Sequence, residues 1–270
     1  MIRLRRSVHF VPGGNERMIA KALTLPADGL ILDLEDAVAL ERKAEARAAV
    51  LRWLETLDFG ARERWVRINP LATDIRAVVE ILDRLEDQHG LPFGATRLLL
   101  IATETPEGLL NIDEVARASP RIAALTWGVE DLSAAMGLPR TRDAEGRYLE
   151  IPRYARVMTA VAAAAAGVEA IDTVFTDIPN LEGLRRECEE AVAMGFTGKL
   201  SIHPSQIPVI NETFTPSPEE AKEAEALIAA FEEHRQKGAG AFAYKGQMVD
   251  TPHLARARGI VERARQAGVL

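Results

Sequence analysis

Short apolar runs alternate along this chain with longer stretches whose apolar residues recur every three or four positions. That is the pattern of strands alternating with helices. The apolar runs begin near Ser7, Gly29, Arg64, Arg97, Ile122, Ala170 and Gly198, giving seven candidate strands. Leu98 to Ala102 is continuously apolar, which predicts a strand buried on both faces. Glu104 follows just past its end, and Pro106 stops pairing and suits the first turn of a helix. The design recurs at Ile122 to Trp127, followed by Gly128, Glu130 and Asp131. Between strands, Met18, Ile19, Ala22 and Leu23 form one helical stripe. Leu40, Ala44, Ala48, Leu51 and Leu54 predict another over 39–57, and Ile75, Val78, Val79, Leu82 and Leu85 a third over 74–88. A helix from Asn180 should end at Gly195, a good left-handed stop.

The alternation ends near Ser217. A Glu- and Ala-rich helix runs to about Gln236, a glycine-spaced connector GAGAFAYKGQMVD follows, and Thr251 with Pro252 opens a last helix. The division expected is an α/β barrel over 1–216 and a helical extension over 217–270 that packs on a neighbouring subunit. With 270 residues, 47% of them hydrophobic, the chain has the length of one such barrel. The net charge of −7 and the lack of any basic block or stripe argue against nucleic acid as a partner. No apolar run has membrane-spanning length, and no signal-type apolar core follows the basic MIRLRRSVHF, so a cytoplasmic protein is expected. The single cysteine, Cys188, lies in a helical apolar pattern and fits a half-buried packing role in a reducing compartment.

Candidate chemistry collects at strand ends, where α/β enzymes place reactive groups. Glu104 and Asp131, each at the mouth of a neighbouring strand, could hold one hard cation between them. Asp33, Glu35 and Asp36 in GLILDLED are costly unless cations, donors or a metal's water shell use them. Strand alternation would point Asp33 and Glu35 one way and Asp36 the other. Arg67, among apolar neighbours in RWVRINP, needs an anionic partner. Arg17 and Lys21, four apart near a glycine-rich helix start, read either as solvated cations or as a phosphate-binding pair. His203 is either a satisfied strand-end histidine or a ligand contact, and Asp250 has a plain reading as support for the last helix's N-terminus.

FVPGGNERMIAKA, LDLEDAV, VRINP, ATETPEG, WGVEDLSA, SIHPSQI and GQMVDTP together resemble the citrate lyase β-subunit-like (HpcH/HpaI aldolase/citrate lyase) family of CoA-ester lyases, in family order and over nearly the whole chain. The resemblance implies a TIM-type (β/α)₈ barrel, a Mg²⁺ cofactor, an acyl-CoA substrate, no nucleic-acid or membrane partner, and a homo-oligomer, a trimer or dimer of trimers. It implies Glu104 and Asp131 as metal ligands, Arg67 on the substrate's carboxylate or carbonyl, and Glu35 and Asp36 supporting the metal's waters. It places Arg17 and Lys21 at the CoA phosphates and His203 along the acyl-CoA arm. Asp250 is implied as the catalytic base, supplied by a neighbouring subunit.

One departure stands out. The family carries a further strand ending in Pro-Lys between VRINP and the ETP strand, and here Thr73 runs directly into the helix at Asp74. One β/α unit is therefore expected to be missing at that junction. The activity implied is Mg²⁺-dependent cleavage of a malyl-, citramalyl- or citryl-CoA-type 3-hydroxyacyl-CoA to acetyl-CoA and a 2-keto acid, or the reverse condensation. A thioesterase on the same scaffold, a CoA-independent pyruvate aldolase, and a non-catalytic acyl-CoA-binding paralogue or subunit of a larger complex remain open alternatives.

Overall fold

A computed structural model describes residues 3–68, 75–236 and 240–270. The chain forms two compact units, Arg5–Asn211 and Glu212–Leu270, the latter with Met1–Leu4. In the first unit, strands β1 (Ser7–Pro12), β2 (Gly29–Asp33), β3 (Glu63–Arg67), β4 (Leu98–Ile101), β5 (Ile122–Thr126), β6 (Glu169–Asp172) and β7 (Gly198–Ser201) pair in parallel, in the order β3-β2-β1-β7-β6-β5-β4. Alternate residues of all seven strands, among them Val8, Ile31, Trp65, Leu99, Ala124, Ile171 and Leu200, meet in one apolar cluster. A flat sheet could not bring its two edge strands together in this way. The sheet is curled into a TIM-like barrel, open between β3 and β4.

That opening corrects one expectation. All four residues of β4 are only half-buried, because β4 is a sheet edge and not a strand covered on both faces. Val66 and Ile68, on the outward face around β3, are 37% and 48% exposed. The Thr73–Asp74 junction itself lies outside the described residues. Helix α3 (Ile75–Gln88) is anchored on the β4 side by the buried Glu86, which accepts from Arg121 at 2.8 Å and from the Gly94 and Thr96 amides.

Helices α1 (Glu16–Ala22) and α2 (Lys43–Thr56) cover β1 and β2, with Ile19, Ala22, Val50 and Trp53 against Val11, Leu30 and Leu32. The predicted face of α2 is corrected here. Leu40 and Leu51 are exposed, and Ala46, Ala49, Val50 and Trp53 are buried. Trp53 decides the outcome, because its area outweighs a leucine's and its indole N–H donates to Glu16 at 3.0 Å.

On the opposite side of the sheet's outer layer lies a buried ionic knot. Helices α4 (Pro106–Leu110), α5 (Ile112–Ala116), α6 (Val129–Ala135), α7 (Glu150–Ala166) and α8 (Leu181–Met194) follow in turn, and α8 stops at Gly195 with φ 93° as expected. The wholly buried Lys199 of β7 donates to Asp172 at 2.8 Å and Glu187 at 2.7 Å. Arg156 of α7 donates to Asp172 at 3.0 Å. Burial works against the Asp172 carboxylate, yet Lys199 and Arg156 outweigh it and hold its pKa below the usual carboxylate range. Cys188 beside this knot is fully buried and its thiol is pushed up to about 12, chiefly by burial, so it is unreactive packing.

Helix α9 (Gln206–Phe214) leads into the second unit, where α10 (Pro218–Gln236) and α11 (Thr251–Gln266) pack through Ala224, Ala257 and Val261. The predicted glycine-spaced connector contains a hairpin, β8 (Phe242–Tyr244) with β9 (Gln247–Val249). Its two-residue turn, Lys245-Gly246, has positive φ at both positions (48° and 82°), as a right-twisting hairpin requires. Among the described residues no helix is long and apolar enough to cross a membrane.

Removing Lys199 takes from the buried Asp172 and Glu187 the cation they share, leaving Asp172 to Arg156 and Glu187 to Arg142. Lys199→Met is expected to cost about 3–5 kcal/mol of unfolding free energy, read by urea titration. His9, 4% exposed on β1, has its pKa lowered from 6.5 to about 4, first by burial and further by His203, against a hydrogen bond that the Ser201 backbone accepts. The unfolded ring gains a proton near 6.5 whereas the folded ring resists to about 4. Its contribution is therefore complete above pH 6.5 and lost as pH falls toward 4. His9→Asn should flatten the stability–pH curve across that window relative to wild type, by on the order of 2 kcal/mol.

Candidate active site

The site is assembled at the C-terminal ends of the strands. Asp33 closes β2 on the barrel's inner face, 2% exposed, directly beside Arg67 at the end of β3. Arg67 Nε donates to Asp33 Oδ1 at 2.8 Å, and its Nη2 meets Asp33 Oδ2, forming a bidentate pair. Arg67 Nη1 then reaches Glu35 at 3.0 Å and Asp36 at 2.8 Å. The expected opposition of Glu35 and Asp36 fails, because strand alternation stops at Asp33. Its carboxylate accepts from the Glu35 amide at 2.8 Å, and Val38 N–H donates to the Glu35 carbonyl at 3.1 Å, turning the chain. Lys43 Nζ closes the turn on the Leu34 and Glu35 carbonyls at 3.0 and 2.8 Å.

Glu104 follows β4 as expected. Thr105 caps α4, its hydroxyl accepting from Gly108 N–H at 3.0 Å, with Pro106 at the first helical position. A Cβ built at Gly128 would stand 2.7 Å from Glu104 Cγ. Only glycine therefore allows the turn after β5, which carries Asp131 into α6, to lie against Glu104. The preceding Trp127 is fixed from below, its indole N–H donating to the buried Asp172 at 2.8 Å. The ionic knot thus aims the turn that presents Asp131.

Glu104, Asp131, Asp36, Asp33 and Arg67 line one cleft of about 510 Å³, together with Glu130 and apolar residues including Phe10, Ile101, Trp127 and Leu200. Among the residues lining it, Arg67 faces five acids. Burial lifts the Glu104 pKa to about 7, with Asp131 and Glu35 adding to the rise and Arg67 opposing it. Excess negative charge of this kind, on oxygen donors alone, suits a hard divalent cation. Among the described residues no three His, Cys, Asp or Glu side chains converge as a complete ligand set. That fits Mg²⁺, which takes one or two carboxylates and fills its remaining positions with water and substrate. Glu104 and Asp131 would hold it.

The other predicted residues are less concentrated. Arg17 and Lys21 are exposed on α1, while Met18 between them lines the cleft. His203 is exposed past the end of β7 and pairs with Ser205 Oγ at 2.8 Å. Asp250 lies in the second unit, where it caps α11 and contacts His253 Nδ1 at 2.6 Å. Two groups that shape the site were not singled out from sequence. Asp33 was one of three adjacent acids, and only its inward register marks it as the one that grips Arg67. Asp172, in the run AIDTVF, gave no signal, because its partners come from separate elements.

The model of the HpcH/HpaI aldolase/citrate lyase family matches residues 6–74 and 70–204. Its two pieces meet where a β/α unit was expected to be missing. Mouse mitochondrial citramalyl-CoA lyase is 38% identical over 295 positions, covering 96% of this chain and 86% of that protein. That stretch is longer than this chain's 270 residues, so the relative carries residues with no counterpart here. A (3S)-malyl-CoA thioesterase of Cereibacter sphaeroides is 37% identical over 274 positions, covering 96% of this chain and 94% of that protein. The crystal structure of CitE from Mycobacterium tuberculosis, in complex with magnesium, acetoacetate and coenzyme A, superposes with a TM-score of 0.75 at 34% identity, covering 97% of this chain and 98% of that one. With its curled parallel sheet, its acid-lined cleft and family motifs matched across most of its length, this chain belongs to the HpcH/HpaI aldolase/citrate lyase family of lyase enzymes.

Proposed function

We propose that this protein is a Mg²⁺-dependent carbon–carbon lyase that cleaves a 3-hydroxyacyl-CoA thioester of the malyl-, citramalyl- or citryl-CoA type to acetyl-CoA and a 2-keto acid, or runs the reverse condensation. The observation that carries the reading is the cleft in which Glu104 and Asp131 stand together opposite one guanidinium. Glu104 and Asp131 would hold the Mg²⁺, which would supply Lewis-acid polarisation of the substrate's oxygens. Arg67 is held rigidly by Asp33, Glu35 and Asp36, and one of its five N–H groups is left for anionic oxygen developing in the cleft. Asp250 of a neighbouring subunit, in a homotrimer or dimer of trimers, takes the substrate's hydroxyl proton. As the hydroxyl carbon becomes a keto carbon, the electron pair of the broken bond passes to the carbon beside the thioester, which takes up a proton. Arg17 and Lys21, exposed and without ion pairs among the described residues, suit the phosphates of CoA, and His203 its acyl arm.

A thioesterase reading is favoured by the Cereibacter sphaeroides relative of that name. The two differ in product. Incubation with a panel of 3-hydroxyacyl-CoA esters and Mg²⁺ should release acetyl-CoA and a keto acid by mass spectrometry; free CoA with an intact hydroxy acid would select the thioesterase.

Glu104→Ala is expected to lower kcat at least about 100-fold and to remove the response to added Mg²⁺. Normal turnover with a normal Mg²⁺ response would overturn the metal assignment. Asp250→Ala should be as inactive as Glu104→Ala when each is assayed alone. Unfolded and refolded together, the two variants should regain turnover, because mixed oligomers contain sites with one intact residue from each chain. No recovery, with mixed oligomers shown by mass spectrometry, would place the base elsewhere.

A further inference from the structure

The last helix begins with a donor where a helix start calls for an acceptor. Strand β9 leads through the buried Val249 into Asp250, which caps α11 with extended backbone (φ −145°, ψ −170°). In a capping box the residue three places on is Glu or Gln, whose side chain accepts from the cap residue's amide. Here that residue is His253. Its Nδ1 lies 3.3 Å from the Asp250 amide and only 2.6 Å from Asp250 Oδ1. Among the described residues neither side chain has a partner outside this pair.

A carboxylate oxygen and an unprotonated ring nitrogen 2.6 Å apart would set lone pair against lone pair, so a proton lies between them. Imidazole is a stronger base than a carboxylate, and the proton stays on Nδ1. Nδ1 therefore donates to Asp250 Oδ1 and has no lone pair left for the amide at 3.3 Å. The ring serves the carboxylate and not the helix end. The Asp250 and His253 side chains are 37% and 34% exposed, and a carboxylate so placed would turn about its last bond without a donor to hold it. The ring itself stands on a fixed turn. Leu254 beside it is buried, and Ala257 and Val261 seat α11 against Ala224 of α10.

We infer that His253 is a positioning residue for the base: its Nδ1–H holds Asp250 Oδ1 and so aims the remaining lone pairs of the carboxylate at the substrate's hydroxyl. This rests on the reading of Asp250 as the base and adds the group that orients it. A carboxylate has about four acceptor positions, so one donor leaves room for the hydroxyl. In the step itself the hydroxyl O–H bond breaks and its proton passes to Asp250. The electron pair left on oxygen becomes the second bond of the keto group, and the ring keeps its own proton. A base that is present but badly aimed lowers the rate of the step without weakening substrate binding.

His253→Glu separates this role from helix capping, because glutamate is a preferred capping-box partner and cannot donate. His253→Asn is the conservative variant, since its amide nitrogen can donate in place of Nδ1. Both are compared with wild type as the full chain in Mg²⁺, with malyl-, citramalyl- and citryl-CoA, acetyl-CoA release being followed. His253→Glu is expected to keep or raise the thermal midpoint, to lower kcat at least about tenfold and to leave KM within about twofold. His253→Asn should retain most of the turnover. Refolded together with Glu104→Ala, His253→Glu should regain turnover; refolded with Asp250→Ala it should not, because both defects lie on the same arm. Wild-type kcat in His253→Glu would make the histidine a plain helix cap and overturn the inference, leaving Asp250 as the base. Equal loss in His253→Glu and His253→Asn, or recovery of His253→Glu with Asp250→Ala, would likewise overturn it. Full turnover by Asp250→Ala alone, or no acetyl-CoA from the wild type with any of the three esters, would overturn both readings.

Discussion

The bidentate pair between Arg67 and Asp33 is the contact on which the site depends. Arg67 ends an edge strand, where a long cationic side chain would ordinarily wander in solvent. Asp33, buried on the neighbouring strand in register with it, holds the guanidinium over the barrel's interior. That position lets the same group gather Glu35 and Asp36 and stand across the cleft from Glu104 and Asp131. Without Asp33 the acids at the rim would face one another with no fixed cation among them. Breaking one partner of such a buried pair is far more costly than the pair's net contribution to stability.

A second constraint acts from the far side of the sheet. Lys199, Arg156, Asp172 and Glu187 form an ionic knot between β6, β7, α7 and α8, and Trp127 is tied to it through Asp172. Trp127 also lines the cleft and leads through Gly128 to Asp131. The two metal-ligand candidates are therefore positioned by different means. Glu104 is placed by a capped helix start at the sheet's edge, and Asp131 by a turn braced on buried charge. The open side of the barrel, between β3 and β4, lies next to the first of these.

Much of this was legible in the sequence, and the exceptions have physical causes. Seven apolar runs announced seven strands, and acids following two of them announced the cleft, because a carboxylate at a parallel strand's mouth has few structural uses. Gly195 stopped its helix as glycine should. The exposure of β4 could not be read from LLLI, since edge and centre differ only in what lies alongside. The face of α2 was misjudged because two stripes of similar hydropathy compete there and Trp53 settles the matter through a partner on another helix. The hairpin at Lys245-Gly246 was hidden because a lysine at positive φ gives little local signal. Asp172 and Lys199 were illegible because a buried ionic knot draws its members from distant elements. Arg17 and Lys21 read from the residues alone as either solvated cations or a phosphate-binding pair, and His203 as either a satisfied strand-end group or a ligand contact; family resemblance supplies the functional choice for these and for Asp250.

The central claim is that Glu104 and Asp131 jointly ligate one hard cation. A crystal grown with Mn²⁺ in place of Mg²⁺, and measured for anomalous scattering, tests it most directly. The account predicts a single strong peak within about 2.0–2.3 Å of a carboxylate oxygen from each residue. A peak elsewhere, or none with the two side chains turned apart, would contradict it.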